Sequence, residues 1–273
     1  MTAVVEGIDE KRVTGKAGTP ALLCWPKVAG TYGCVQILHE RYGLVPHTED
    51  LARKIAAEGF VVIAPDLFYA FPDQEGLHKG DVGVKPTDAE VQACCEDLFP
   101  LFSTVKGADT SRFGMIGVCQ TGRYPLVWGS KKPIKAAITL YGAAQAPDWE
   151  YSDRHPDGID KLLDKMAKDT AILGIFGEGD HVISIDDVCR FRDAIEARNL
   201  SYQIAIYPSV PHGWLNDTMP GRYRPEAAKQ AWDETIAFLK EKLAPNANGK
   251  EIVWSFRSVK STTYDFTKNV RYE

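Results

Sequence analysis

The chain predicts a doubly wound α/β fold, a mostly parallel sheet flanked by helices on both faces. Short apolar runs alternate with amphipathic stretches after about residue 33, the rhythm of repeated strand–helix crossovers. Most of these runs are apolar throughout, as expected of parallel strands covered on both faces. The length of 273 residues and the hydrophobic content of 44% suit one large domain with a sizeable core.

Leu22 to Trp25 marks one or two antiparallel edge strands ahead of the repeat, and Cys34–Leu38 is the first parallel strand. Thr48 to Glu58 follows as a helix with Leu51, Ala52 and Ile55 on one face. It stops at Gly59, because the left-handed position after a helix favours glycine. Phe60–Ala64 is the next strand. Phe71 to Pro86, rich in Gly, Pro, Asp and Lys, reads as a long loop over the edge where the strands end. Asp88 to Val105 is helical, and Arg112–Val118 and Lys135–Tyr141 are strands. Pro147 to Gly158, with Trp149, Tyr151 and His155, reads as an insertion near the same edge. Ala171–Phe176, a helix from Asp186 to Arg198, and Tyr202–Tyr207 continue the alternation. The last helix opens with Pro225 near its first position and places Trp232, Ile236, Leu239 and Leu243 on one face. Pro245 to Gly249 then breaks the chain, dividing a domain over 1–245 from a strand-like extension over 246–273. Ile252, Trp254 and Phe256 alternate there and give one sticky face, expected to pack on the domain or on a second subunit in a homodimer.

A net charge of −5 and a pI near 5.7, with no basic stripe, argue against nucleic-acid binding. The first ten residues have neither a positive nor an apolar signal region, and no apolar run approaches the roughly 18 residues a spanning helix needs. Neither a leader nor a membrane partner is therefore expected. Six cysteines, at 24, 34, 94, 95, 119 and 189, are too irregular for a disulfide scaffold or a zinc module. The expected setting is a reducing cytoplasm, with no cofactor and no metal.

The chemistry centres on Cys119. It ends the apolar run Phe113-Gly114-Met115-Ile116-Gly117-Val118 and opens a Gly-x-Cys-x-x-Gly turn, where an α/β-hydrolase carries its nucleophile. The helix expected behind it would favour the thiolate. A buried packing thiol is the competing reading. A cysteine nucleophile needs a base and a group to orient that base. Ala171–Phe176 runs into Gly177-Glu178-Gly179-Asp180, and Tyr202–Tyr207 runs into Pro208-Ser209-Val210-Pro211-His212, so an acid and a histidine each follow a predicted strand in the required order. Asp180 alone could be turn chemistry. Histidines 39, 47, 78, 155 and 181 lack His212's placement, although His181 could shape the turn beside Asp180.

With Leu38-His39-Glu40-Arg41-Tyr42-Gly43-Leu44, Ala64-Pro65-Asp66-Leu67-Phe68 and His212-Gly213-Trp214-Leu215-Asn216-Asp217 added, the chain resembles the dienelactone hydrolase family over roughly residues 15–243. The resemblance implies an α/β-hydrolase fold and a Cys119–His212–Asp180 triad. It also implies a Glu40 that pairs with the resting thiol and helps activate it, and an oxyanion hole from the backbone N–H groups of Gln120 and Arg41. A structural salt bridge between Glu40 and Arg41 or another basic residue is the plainer alternative for Glu40. The sequence departs from the family at Thr121, where glycine is usual, so a crowded elbow is expected. Pro125 is expected to distort the helix behind it. The Arg that holds a substrate carboxylate a few residues after the histidine is replaced by Leu215-Asn216. Arg41 or Arg123 is the candidate replacement, as a bidentate clamp.

The expected activity is hydrolysis of a small lactone or carboxylic ester. Tyr42, Phe68, Tyr141 and Trp214, with Tyr69 and Trp149, are candidate pocket walls. The alternatives are thioester or carbon–carbon bond hydrolysis, a lyase step on a polyketide- or aromatic-derived acid, or a pocket that binds a ligand without turning it over.

Overall fold

The computed structural model describes residues 5–247, 249 and 251–259. Among them, nine strands join in one sheet: β1 (Ile8–Thr14), β2 (Pro20–Pro26), β3 (Tyr32–Leu38), β4 (Phe60–Pro65), β5 (Ala108–Val118), β6 (Ala136–Leu140), β7 (Ala171–Gly177), β8 (Ser201–Tyr207) and β9 (Trp254–Ser258). Their spatial order is β1-β2-β4-β3-β5-β6-β7-β8-β9. β1 pairs antiparallel with β2 and β2 with β4, and every pairing from β4 through β3 to β9 is parallel. All residues of β4, β6 and β7 are buried, which explains their unbroken apolar sequences.

Helices cover both faces. α1 (Pro46–Ala57) and the final helix, α7 (Pro225–Lys242), pack on one side through Leu51, Ile55, Phe238 and Leu239. α3 (Asp88–Leu98), α4 (Tyr124–Gly129), α5 (Ile159–Asp164) and α6 (Ile185–Glu196) pack on the other through Leu98, Trp128, Leu162 and Phe191. Fully burying side chains of this kind contributes about 1.5–3 kcal/mol each. Thr87 and Ser184 cap α3 and α6 in reciprocal boxes with Glu90 and Asp187, and Gly59 takes the expected positive φ of 98° after α1.

Several boundaries differ from the sequence reading. The expected loop over Phe71–Pro86 contains a short helix, α2 (Gln74–Lys79), capped by Asp73 and ended by Gly80 at φ 84°. Six residues are too few to show a helical period. The helix expected to reach Val105 changes to a 3₁₀ turn over Phe99–Thr104, because Pro100 has no N–H to continue the α pattern. β5 starts at Ala108 rather than Arg112. Its first residues are polar, with Asp109 accepting from the Ser111 N–H and Arg112 Nε, and an irregularity at Gly33/Cys34 absorbs them. α5 was not expected.

The segment beyond residue 245 supplies β9, the ninth strand of the sheet. Phe256 packs against the core under the Arg192 guanidinium, and Trp254 stays half exposed while its Nε1 donates to Leu200 O at 3.0 Å. The remainder of that extension, 260–273, lies outside the described residues. No helix among the described residues is long and apolar enough to cross a membrane.

Candidate active site

β3, β5, β6, β7 and β8 lie side by side, and the loops at their C-terminal ends carry Glu40, Cys119, Tyr141, Asp180 and His212. Separate sequence segments therefore meet at one edge, where open α/β sheets hold ligands. Cys119 takes φ 55°, a strained value for a residue with a Cβ, and opens a 3₁₀ turn over Cys119–Thr121. Close approach makes this bend possible. A Cβ on Gly117 would come within 2.2 Å of Thr121 O, and one on Gly122 within 2.4 Å of the Gly142 Cα.

The expected crowding at Thr121 is instead a tie. Its buried hydroxyl accepts from the Val118 N–H at 2.9 Å and donates to His39 O at 2.9 Å, joining the elbow to the loop after β3. Pro125 does not distort the helix either. α4 starts only at Tyr124, so Pro125 falls in its first turn, where no N–H is needed. The nucleophile candidate consequently sits on the 3₁₀ turn rather than at the α-helix N-terminus expected behind it.

His212 lies between Cys119 and Asp180. Its Nε2 is 3.1 Å from Cys119 Sγ, and its Nδ1 is 2.8 Å from Asp180 Oδ2. A carboxylate only accepts, so Nδ1 carries a hydrogen and Nε2 faces the sulfur. The second Asp180 oxygen accepts from the Val182 and Ile183 N–H groups, which locks the acid in place. Burial disfavours a charged His212, yet the sulfur's charge and the Asp180 hydrogen bond outweigh it and hold the imidazole well above its ordinary pKa. The same loop edge brings the His181 ring to 5.9 Å from that of His212.

Glu40 makes neither expected partnership. No hydrogen bond joins it to Cys119, and no salt bridge joins it to Arg41, among the described residues. Its buried carboxylate accepts from Tyr141 Oη at 3.2 Å and from Asn216 Nδ2 at 2.5 Å. Burial, then the nearby Glu40 and Cys119, push Tyr141 far above the usual phenol range, so its proton stays. His39 fixes the same loop. Its Nε2 accepts from the Leu67 N–H at 3.1 Å, so its Nδ1 donates to Glu40 O at 2.6 Å. Burial lowers the His39 pKa to about 4 and keeps the ring neutral.

These groups open onto a cavity of about 580 Å³, lined by Glu40, Arg41, Tyr42, Cys119, Gln120 and His212 together with the basic residues Lys85, Arg123, Arg154, His155 and Arg222. Of the expected aromatic walls, Tyr42 lines it. Phe68 does not: it is buried edge-on against His39. Trp214 is also fully buried, its ring tilted against Tyr207 at 4.9 Å, and Tyr141 reaches the site only through its hydroxyl and its edge-type ring contact with His212.

The expected Arg123 clamp is overturned by its hydrogen bonds. Nε and Nη2 take both Asp88 oxygens at 2.9 and 2.7 Å, Nη1 takes Asp148 at 3.3 Å, and Nη2 also takes Asp157 O at 2.8 Å. His155 Nδ1 adds a contact to Asp88 at 2.8 Å, so the cluster pins the 147–158 segment to the start of α3. Arg41 anchors the 80–84 loop through Gly80 O at 2.9 Å. The sequence reading missed Arg222. Only 6% exposed, it lies over Gly213 beside His212, and its guanidinium has no hydrogen bond or ion pair among the described residues. Asn216 was seen only as the residue standing where an arginine was sought. Among the described residues, no group of three or more His, Cys, Asp or Glu could hold a metal ion.

A model of the dienelactone hydrolase family matches residues 19–243. A Salmonella typhimurium protein bearing the provisional name carboxymethylenebutenolidase is 29% identical over 228 residues, covering 81% of this chain and 82% of its own. A Bradyrhizobium protein, provisionally named 2-oxo-3-(5-oxofuran-2-ylidene)propanoate lactonase, is 26% identical over 81% of this chain and 88% of its own. A Klebsiella pneumoniae crystal structure, provisionally a dienelactone hydrolase, superposes with a TM-score of 0.72 at 26% identity, covering 86% of this chain and 99% of that one.

Proposed function

This chain belongs to the dienelactone hydrolase family, and we propose that it hydrolyses a small lactone or carboxylic ester bearing an anionic group, with Cys119 as nucleophile. The observation that supports this most directly is the line Cys119 Sγ–His212–Asp180, at 3.1 and 2.8 Å, opening on the cavity. In this reading Sγ attacks the carbonyl carbon, and the backbone N–H groups of Gln120 and Arg41 receive the oxyanion. His212 takes the Sγ proton on Nε2 as the sulfur attacks and gives it to the departing alkoxide, leaving a thioester on Cys119. It then takes a proton from water, whose oxygen attacks the thioester, and returns that proton to the sulfur as the acid leaves and the thiol re-forms. Asp180 holds the ring so that Nε2 faces the reaction throughout.

The anionic preference rests on Arg222. A buried guanidinium without a partner among the described residues, beside the reacting pair, is suited to pair with a carboxylate on the substrate. It supplies from farther along the same loop what Leu215-Asn216 cannot. The lactone named for the Bradyrhizobium relative carries a propanoate arm, which fits the same chemistry.

The test is turnover of paired esters and lactones, with and without a carboxylate, by the parent and by Cys119→Ala. The expected result is faster hydrolysis of the anionic member and a loss of at least about 10³-fold in the alanine variant. Equal turnover by the two proteins would remove Cys119 from the mechanism.

A further inference from the structure

Arg154 lines the same cavity as Arg222 and, like it, has no ion pair among the described residues. It sits in the 147–158 segment, inside a turn that Ser152 and His155 close with mutual backbone hydrogen bonds of 3.0 Å. Its carbonyl accepts from the Asp88 N–H at 2.9 Å. His155 aims its side chain. Asp88 Oδ1, which as a carboxylate oxygen only accepts, lies 2.8 Å from His155 Nδ1, so that nitrogen carries the hydrogen. His155 Nε2 therefore offers a lone pair, and Arg154 Nη2 donates to it at 3.2 Å. Arg154 Nε is buried with no hydrogen-bond partner among the described residues. A neutral ring thus holds this guanidinium in place, and no acid touches it to offset its charge.

The other cations of the cavity are engaged differently. Arg123 is enclosed by Asp88 and Asp148, and Arg41, next to Glu40 in the chain, donates to the Gly80 and Val82 carbonyls. Lys85 is exposed. Arg154 and Arg222 are left as positioned charges without a carboxylate. Arg154 is tied through His155 and Asp88 to the start of α3, whereas Arg222 lies in the loop that leads into α7. Those two helices cover opposite faces of the sheet. Supports in opposite layers favour two separate contact points over one shared clamp. A cavity of about 580 Å³ has room for a ligand that reaches both.

We propose that Arg154 is a specificity-determining residue that binds a second anionic group, so that the preferred substrate is a lactone or ester carrying two carboxylates. The inference rests on the reading of Arg222 as the partner of the first carboxylate. Anchoring of the Arg154 backbone and side chain before any ligand arrives is what such recognition requires, because little order remains to be imposed on binding.

The test measures binding without turnover. Succinate, glutarate and adipate are titrated calorimetrically into the protein at neutral pH, each beside its own half-amide, which keeps the length and loses one charge. At least one diacid is expected to bind about 10-fold or more tightly than its half-amide. In Arg154→Met that advantage should shrink to about 2-fold or less, with the half-amide unchanged. Arg154→Gln keeps a donor for His155 and serves if the methionine variant does not fold; it too should lose the advantage. Arg154→Lys retains a charge and should keep most of it, which a merely structural role for Arg154 would not predict. Equal binding of diacid and half-amide in every pair, or no binding of any diacid, overturns the proposal. So does an advantage that survives in Arg154→Met. A diacid preference lost in Arg154→Met, in a protein that hydrolyses none of the esters, would sink the catalytic reading and leave the second anion site standing.

Discussion

Arg123 and Arg222 are both buried and both line the same cavity, yet they solve the burial of a charge in opposite ways. Arg123 points all of its donors at Asp88, Asp148 and the Asp157 carbonyl. Burial opposes the charge on Asp88, but His155 and Arg123 still hold its carboxyl below the usual range. Such a group is framework: every donor is engaged, so none remains for a ligand. Arg222, 6% exposed, has no comparable set, although a buried charge without partners is costly. That cost is tolerable where a substrate anion completes the pair. Donor satisfaction, more than burial, separates the scaffold arginine from the one that faces chemistry.

The largest expected effect lies on the scaffold side. Arg123→Met leaves Asp88 and Asp148 as buried acids without their cation, and it should cost about 3–5 kcal/mol in urea unfolding. It should also release the 147–158 wall, which would appear as faster amide exchange there. Arg222→Met removes a buried charge with no partner among the described residues, so it should leave stability unchanged or raise it. Equal losses in the two variants would break the comparison.

His39 shows a third way to bury a titratable group, as a neutral ring satisfied on both nitrogens. Its folded pKa of about 4 lies below the ordinary 6.5 of the unfolded chain. The unfolded state therefore binds more protons between those values, and stability rises with pH across them. The contribution is fully present above about pH 6.5 and is lost as pH falls toward 4; at about 1.4 kcal/mol per unit it amounts to about 3 kcal/mol. Urea unfolding at pH 7 and at pH 4.5 should show the loss in the parent. His39→Gln should flatten the slope, whatever it costs at pH 7.

These contrasts mark how far the sequence could be read. The strands were legible because burial on both faces leaves unbroken apolar runs, and α1 and α6 because their buried faces keep a helical period. The placement of Cys119, Asp180 and His212 was legible because each follows a recognisable strand. Satisfaction of polar groups was not, because it depends on segments far apart in the chain. Arg123 looked like a clamp until Asp88 and Asp148 were seen to enclose it. Thr121 looked like crowding until its hydroxyl was seen to join two loops. Phe68 and Trp214 looked like pocket walls because an aromatic near a strand end carries no sign of which way it points. Arg222 sits in an irregular loop before Pro225, where no periodicity singles it out.

The smallest expected effect tests the ligand-facing side. Truncating Arg222 to methionine keeps a similar apolar stem and removes only the guanidinium. A substrate whose carboxylate pairs with that group should show a KM raised by about 10- to 100-fold, or about 1.4–2.8 kcal/mol. A neutral ester of the same shape should be nearly unaffected, because nothing in it needs the charge. The difference between the two substrates is the informative quantity, since it cancels any general loosening of the loop after His212. If both substrates weaken alike, Arg222 supports the loop and belongs with Arg123 as framework. If only the anionic one weakens, the unpaired cation is retained because the substrate supplies its missing partner.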